Sequence, residues 1–237
     1  MRNPRSIRFT PEELRANNLT VDPPPADSLF WRLWNACLPI AQQALATAFI
    51  QGINHGTLDP VKYGGFNVGD AYYCFKGAND YLAAASRADD PVLKALLLKK
   101  YASYEKYNET FPEVWHVRDA SSVVPTETNI QYAQLEADVA SHMDPVMCLV
   151  VMIPCEYLWY WLADQMYPPQ PANLYAPWIS GNHDPSGAYA IGNYLEVYQK
   201  AHGAIDYNAA LGIYTAAMNF EKENFAGATQ VVSRYVI

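Results

Sequence analysis

Residues 152–161, MIPCEYLWYW, set a proline, a thiol and a carboxylate side by side inside an apolar, aromatic run. Within a helix, Pro154 removes one backbone hydrogen bond and clashes with the carbonyl of Val150, at a cost of about 3 kcal/mol, and it re-aims the next turn. The first side chain of that turn is Cys155. A free thiol with an ordinary pKa of about 8.5 is only a few per cent thiolate at neutral pH, yet it is a good nucleophile even so. A buried cysteine is equally at home as an inert, small apolar residue. Cys155 by itself therefore leaves open a kinked core helix or a nucleophile in an apolar pocket.

Three other stretches bear on that choice. NVGDAYYCF puts Asp70 in the apolar half of a helix with Tyr73 three residues later on the same face. An acid among aromatics is either a satisfied structural group or a partner for an amine or a ring nitrogen. NIQYAQL supplies Tyr132, whose hydroxyl could donate to a thiolate or simply pack in a core. MNFEKENF carries Glu221 and Glu223. A helical wheel puts Glu221 on the inward stripe of Tyr214, Ala217, Met218 and Phe225, and Glu223 on the solvent side. A carboxyl facing apolar rings favours its neutral form, which suits a general acid.

These groups are far apart in sequence, so helices must converge to bring them together. DSLFWRLWNACLPIAQQALATAFIQGINHG has apolar residues at three- and four-residue spacing and stops at Gly56. DPVKYGGFNVGDAYYCFKGANDYLAAASRA opens with an aspartate cap and a first-turn proline. Its glycines each weaken the helix by about 1 kcal/mol relative to alanine and so need a packing or site reason. DDPVLKALLLKKYASYEKYNETF repeats the Asp-Pro start; PTETNIQYAQLEADVAS, DPVMCLVVMIPCEYLWYWLADQMY, DPSGAYAIGNYLEVYQKAHG and DYNAALGIYTAAMNFEKENFAGA complete seven long helical segments. Strand signals are confined to TQVVSRYVI at the end. The pattern predicts a single all-α domain over residues 28–228, between a polar, proline-rich arm at 1–27 and a tail at 229–237. A small-molecule site belongs in the interior of such a bundle.

Composition narrows the function further. Of 237 residues, 51% are hydrophobic, enough to bury a substantial core. A net charge of −8 argues against nucleic acid or an anionic membrane as partner, since both demand basic surface. Cys37, Cys74, Cys148 and Cys155 show no CxxC or Cys/His metal spacing and read as free thiols in a reducing compartment. The first residues, MRNPRSIRFTPEELRANN, lack an apolar secretory core. The apolar run from Pro145 to Ala163 contains Pro154 and Glu156 and reads as a buried helix rather than a membrane span. The expectation is a cytoplasmic protein.

Taken as an ordered set, GD-A-YY on an early helix, Tyr132, IPCEYLWY, LYAPWI and the late NFEKENF resemble the TenA (thiaminase II, aminopyrimidine aminohydrolase) family of the heme-oxygenase-like fold. Spacing contributes to the likeness: Tyr73 follows Asp70 by three, and Tyr132 stands 23 positions before Cys155. The likeness spans about Ser28 to Ala228. It implies a heme-oxygenase-like multi-helix bundle and a hydrolase that cleaves thiamine or its aminopyrimidine breakdown products at the exocyclic methylene carbon. Cys155 would be the nucleophile adding to the pyrimidine ring. Asp70 would hold the ring's amino group and adjacent nitrogen, Glu221 would handle the proton on the opposite nitrogen, Tyr132 would hydrogen-bond the thiol, and Tyr73 would line the base of the pocket. Three positions depart from the family pattern: Gly69 replaces a glutamine, Trp159 a tyrosine, and Asn182 a further tyrosine. Trp159 and Asn182 therefore enter as substrate-binding positions with altered chemistry. The resemblance implies no cofactor and no metal, a small-molecule pyrimidine as partner, and a homo-oligomer, commonly a tetramer.

Other classes remain to be separated. The same pocket with an amine or thiol in place of water would be a base-exchange thiaminase, and a homologue that binds pyrimidine without turnover is a further alternative. A metal-dependent oxidase of this fold needs several inward histidines and carboxylates. His55 abuts a glycine turn, His183 lies in GNHDPSG and His202 precedes Gly203, while His116 and His142 complete the set. Most of these read as loop or helix-end residues.

Overall fold

The structure, a computed structural model, describes residues 20–230. Among them the regular structure is helical. The helices are α1 (Leu29–Leu45), α2 (Ala48–His55), α3 (Pro60–Arg87), α4 (Pro91–Asn108), α5 (Thr110–Trp115), α6 (Glu127–His142), α7 (Val146–Met166), α8 (Ala176–Asn182), α9 (Ser186–His202) and α10 (Tyr207–Ala228). The all-α, heme-oxygenase-like bundle expected from the sequence is the fold observed. The strand signal at the end of the chain falls from residue 231 onward outside the described residues, as do residues 1–19 of the arm.

Helix starts follow the local chemistry. Asp59, Asp90 and Asp206 each accept from backbone N–H groups of the first turn, which otherwise have no partner, and Pro60 and Pro91 occupy the position where a missing N–H costs least. Thr126 and Asn129 form a reciprocal capping box on α6. The first expected segment is corrected into two helices, α1 and α2, bent by 67°. Thr47 is the reason. Its hydroxyl donates to Ala44 O at the end of α1 and accepts from Ile50 N at the start of α2, so one side chain closes one helix and opens the next. Two short helices, α5 and α8, escaped the periodicity because a turn or two carries too little pattern.

Helix α7 is the centre of the bundle. Residues 146–159 are buried without interruption, and the helix continues through Pro154. It is the one helix among the described residues that alone is long and apolar enough to cross a membrane, and 89% of its most apolar window is buried inside the protein. Around it, α3 packs along α4 and α6, while α10 packs on α7 and α1. The glycines of α3 gain a reason at two positions. A Cβ on Gly77 would lie 3.2 Å from Cε1 of Tyr104, and one on Gly69 would lie 3.3 Å from Oδ1 of Asn129. Both let a neighbouring helix come close. The described part of the arm is tied to the bundle: Asn193 Nδ2 donates to Thr20 O and Asp22 O, and Trp31 Nε1 donates to Pro24 O.

One buried acid on α3 stands apart from any catalytic scheme. Asp80 is 6% exposed, and its Oδ2 accepts no hydrogen bond from the described residues. Burial pushes its carboxyl up to about 7, with Lys76 offsetting part of the shift. The folded protein thus keeps this proton to near neutrality, whereas the unfolded chain releases it near pH 4. Stability conferred by Asp80 is full below pH 4 and is lost as pH rises through 7. A gap of about 3 units sets an upper limit of about 4 kcal/mol, and relaxation around the charge lowers it. Asp80→Asn is expected to gain about 2 kcal/mol at pH 8 and almost nothing at pH 4 in urea denaturation. Equal gains at both values would show that charge is not the cause.

Candidate functional site

Cys155 lies on α7 and is completely buried. Its thiol donates to Met152 O at 2.9 Å, one turn back, and the Tyr104 hydroxyl of α4 is 3.4 Å from Sγ. All four cysteines are buried, and none is in a disulfide. Burial pushes the thiols of Cys37 and Cys148 up, which suits packed, inert sulfurs.

Glu221 reaches the same interior from α10. It is 3% exposed, while Glu223 two residues on is exposed, in keeping with the helical wheel. Glu221 meets polar donors as well as rings. Tyr132 Oη of α6 donates to Oε1 at 3.1 Å, and Trp159 Nε1 of α7 donates to Oε2 at 3.0 Å. One donor on each oxygen stabilises negative charge there, so Glu221 is built as a proton acceptor as much as a donor. The Tyr132 hydroxyl, expected to hydrogen-bond the thiol, gives its proton to Glu221. The two groups still share one environment. Burial pushes the Tyr132 phenol far up, and the charges of Glu221, Glu136 and Cys155 add to the rise.

Tyr73 completes the inner wall. Its ring lies 4.7 Å from that of Tyr132, and its hydroxyl donates to Oε1 of Glu136 at 2.6 Å. Burial, with Cys155 and Glu136 nearby, pushes this phenol far up as well, so it remains a donor. Phe220 stacks on the outer side of Tyr132 at 5.5 Å. Trp159 adds a second aromatic wall with Phe66, Phe225 and Trp178, at 5.9, 5.5 and 5.4 Å.

Asp70 sits on α3 one turn before Tyr73, half-buried, with Cys74 Sγ 3.8 Å from its Oδ2 and its charge acting on the phenol of Tyr63. Asn182 ends α8; its Nδ2 donates to Trp178 O at 2.7 Å, and its buried Oδ1 has no partner among the described residues. The structure thus gathers Cys155, Tyr73, Tyr132, Trp159 and Glu221 around one buried centre. Asp70 stands on the helix of Tyr73, and Asn182 lies behind the Trp159–Trp178 pair. Among the described residues, no three or more of His, Cys, Asp and Glu form a group that could hold a metal ion.

Sequence reasoning assigned no role to four members of this interior. Glu136 is wholly buried and stands four residues after Tyr132, so the spacing that placed one on the inner face of α6 places the other. Lys100 and Glu156 form a buried ion pair between α4 and α7, with side chains 0% and 2% exposed. Tyr104, one turn beyond Lys100, carries the hydroxyl nearest to the sulfur among the contacts described. A lysine and a tyrosine in KKYASYEKYN look like ordinary surface residues until α3 covers them.

Fold and site together define an all-α protein of the heme-oxygenase-like class with a buried thiol, three phenols and a hydrogen-bonded carboxylate at its centre. Solved structures with the same architecture include TenA proteins. A TenA family transcription regulator from a Silicibacter species is 12% identical, over 87% of this chain and 99% of its own, with a TM-score of 0.77. A TenA homologue from P. horikoshii is 19% identical over 86% and 99%, with a TM-score of 0.74. A candidate TenA-like thiaminase from Sulfolobus solfataricus is 17% identical over 84% and 94%, at 0.67. No family model and no curated protein matches the sequence. At these identities the likeness establishes the fold.

Proposed function

We propose that the protein is a thiaminase II-like hydrolase that cleaves thiamine or its aminopyrimidine breakdown products at the exocyclic methylene carbon, with Cys155 as nucleophile. The observation that carries this reading is the convergence on one buried centre of Cys155 and a carboxylate, Glu221, held by two donors, in a fold shared with TenA proteins. The sulfur forms a bond to a carbon of the pyrimidine ring, and the displaced electron pair moves to a ring nitrogen. The thiol proton ends on that nitrogen, with Glu221 as its carrier. The pair then returns to expel the substituent from the exocyclic carbon. An amine departs with the bonding electrons and the ring-nitrogen proton, carried by Glu221. The thiazole of thiamine departs neutral with the electrons alone, and that proton passes to Glu221. Water adds to that carbon, Sγ leaves, and the aromatic ring and thiol are restored. The net change is exchange of the leaving group for hydroxyl, with no electron gained or lost. Asp70 holds the ring's amino group and adjacent nitrogen. Trp159 and Asn182 shape the space around the substituent, and the aromatic walls receive a flat ring by stacking contacts of about 0.5–1.5 kcal/mol each. On this reading the partner is a small pyrimidine, the compartment is the cytoplasm, and the protein assembles as a homo-oligomer.

The test is turnover of thiamine and of an aminomethyl aminopyrimidine, with the hydroxymethyl product identified by mass. Product carrying an added amine or thiol instead would assign base exchange. Binding of both compounds without turnover would make the protein a pyrimidine binder. Glu221→Gln is expected to slow turnover about 100-fold or more while changing affinity little, because the proton carrier is lost and the shape kept. The amide can retain the Trp159 bond, and the Tyr132 hydroxyl can turn to accept from its NH2 group. Collapse of binding with normal turnover of bound substrate would make Glu221 a structural residue.

A further inference from the structure

Helix α4 carries a buried polar stripe that the proposed reaction leaves without a role. Lys100, Tyr104 and Asn108 are spaced by four and all buried. Lys100 pairs with Glu156, Tyr104 meets Cys155, and Asn108 Nδ2 donates to Cys74 O at 3.3 Å. Two adjacent residues of α7 are thus gripped by two residues of α4 one turn apart.

We infer that Tyr104 is the positioning residue of the Cys155 sulfur, donating its hydroxyl proton to it and stabilising it as thiolate. The inference rests on the proposed function in naming Cys155 as nucleophile. The direction of the hydrogen bonds is set by what each atom can give. Met152 O has no proton, so the 2.9 Å contact uses the thiol's own hydrogen, and the sulfur lone pairs are what remain for the Tyr104 hydroxyl at 3.4 Å. Once the thiol ionises, the Met152 carbonyl faces it as a second acceptor, and Tyr104 is the donor of the two.

The ring has little freedom to move away. It is 2% exposed, it meets Tyr81 edge-on at 5.3 Å, and it sits over Gly77, where any Cβ would come within 3.2 Å. Other titratable groups face the sulfur as well. Tyr73 and Tyr81 of α3, Tyr132 of α6 and Cys148 of α7 all feel its charge. The buried acids Glu136, Glu156 and Glu221 oppose a negative sulfur, and the Lys100 ammonium offsets them. In that acidic interior a fixed O–H donor has a large effect on whether the thiolate exists.

Tyr104→Phe removes the hydroxyl and keeps the ring. Thiolate is read from its ultraviolet absorbance as pH rises, and the Cys155 contribution is isolated by subtracting the same protein carrying Cys155→Ala. The Cys155 step is expected to move up by about one pH unit in Tyr104→Phe, about ten-fold less thiolate at a given pH, with little change in melting temperature. Where turnover is measurable, the rising limb of kcat/KM against pH moves with it while KM barely changes. Gly77→Ala crowds the ring without removing the hydroxyl and is expected to displace the same step in the same direction. A Cys155 step at the same pH with and without the hydroxyl overturns the assignment. The absorbance readout needs no substrate. A displaced step in a protein that turns over no pyrimidine therefore refutes the proposed function and leaves the role of Tyr104 standing.

Discussion

Cys155→Ala is expected to reduce pyrimidine turnover by about three orders of magnitude or more, to the level of the uncatalysed background, because no other described thiol occupies the centre. The loss of structure should be modest. The sulfur is wholly buried, bonded to Met152 O and touched by Tyr104. Removing it leaves a one-atom void and a phenol with a lost partner, a cost of about 1–2 kcal/mol. Cys155→Ser refills most of that void with a much weaker nucleophile, so it should restore stability without restoring turnover. The measurement pairs product formation with urea denaturation of all three proteins. Undiminished turnover in either variant ends the nucleophile assignment.

Lys100→Met is expected to destabilise the fold by about 3–5 kcal/mol, since it strips the cation from the buried Glu156 carboxylate. The double variant Lys100→Met/Glu156→Leu removes both charges and fills the space with apolar atoms, and it should recover most of the loss or exceed the starting stability. Denaturant midpoints at unchanged slope measure both. The contrast between single and double variants is the informative quantity. A single variant as stable as the parent would show that the pair contributes nothing. A double variant as unstable as the single would show that the residues act through packing instead of charge.

Much of this protein was legible before folding was considered. Apolar residues three and four apart located the long helices, and aspartates before prolines marked two of their starts at Asp59 and Asp90. The wheel that turned Glu221 inward and Glu223 outward depends only on the 100° step of a helix, and it agrees with the burial observed. The failures share a physical origin. The bend at Thr47 depends on one hydroxyl serving two helices at once, which periodicity does not register. Lys100 carries a charge that reads as surface, and its pairing with Glu156 requires that helices holding residues 56 positions apart meet face to face.

Local chemistry therefore determined which segments became helices, which faces turned inward and which side chains could react. Tertiary structure alone decided which polar groups meet: Tyr132 and Trp159 donate to Glu221, Tyr73 donates to Glu136, and Tyr104 lies against the sulfur. Hydrogen bonds are directional and act over about 3 Å, so their partners are set by how neighbouring helices pack, a quantity no spacing along one chain contains.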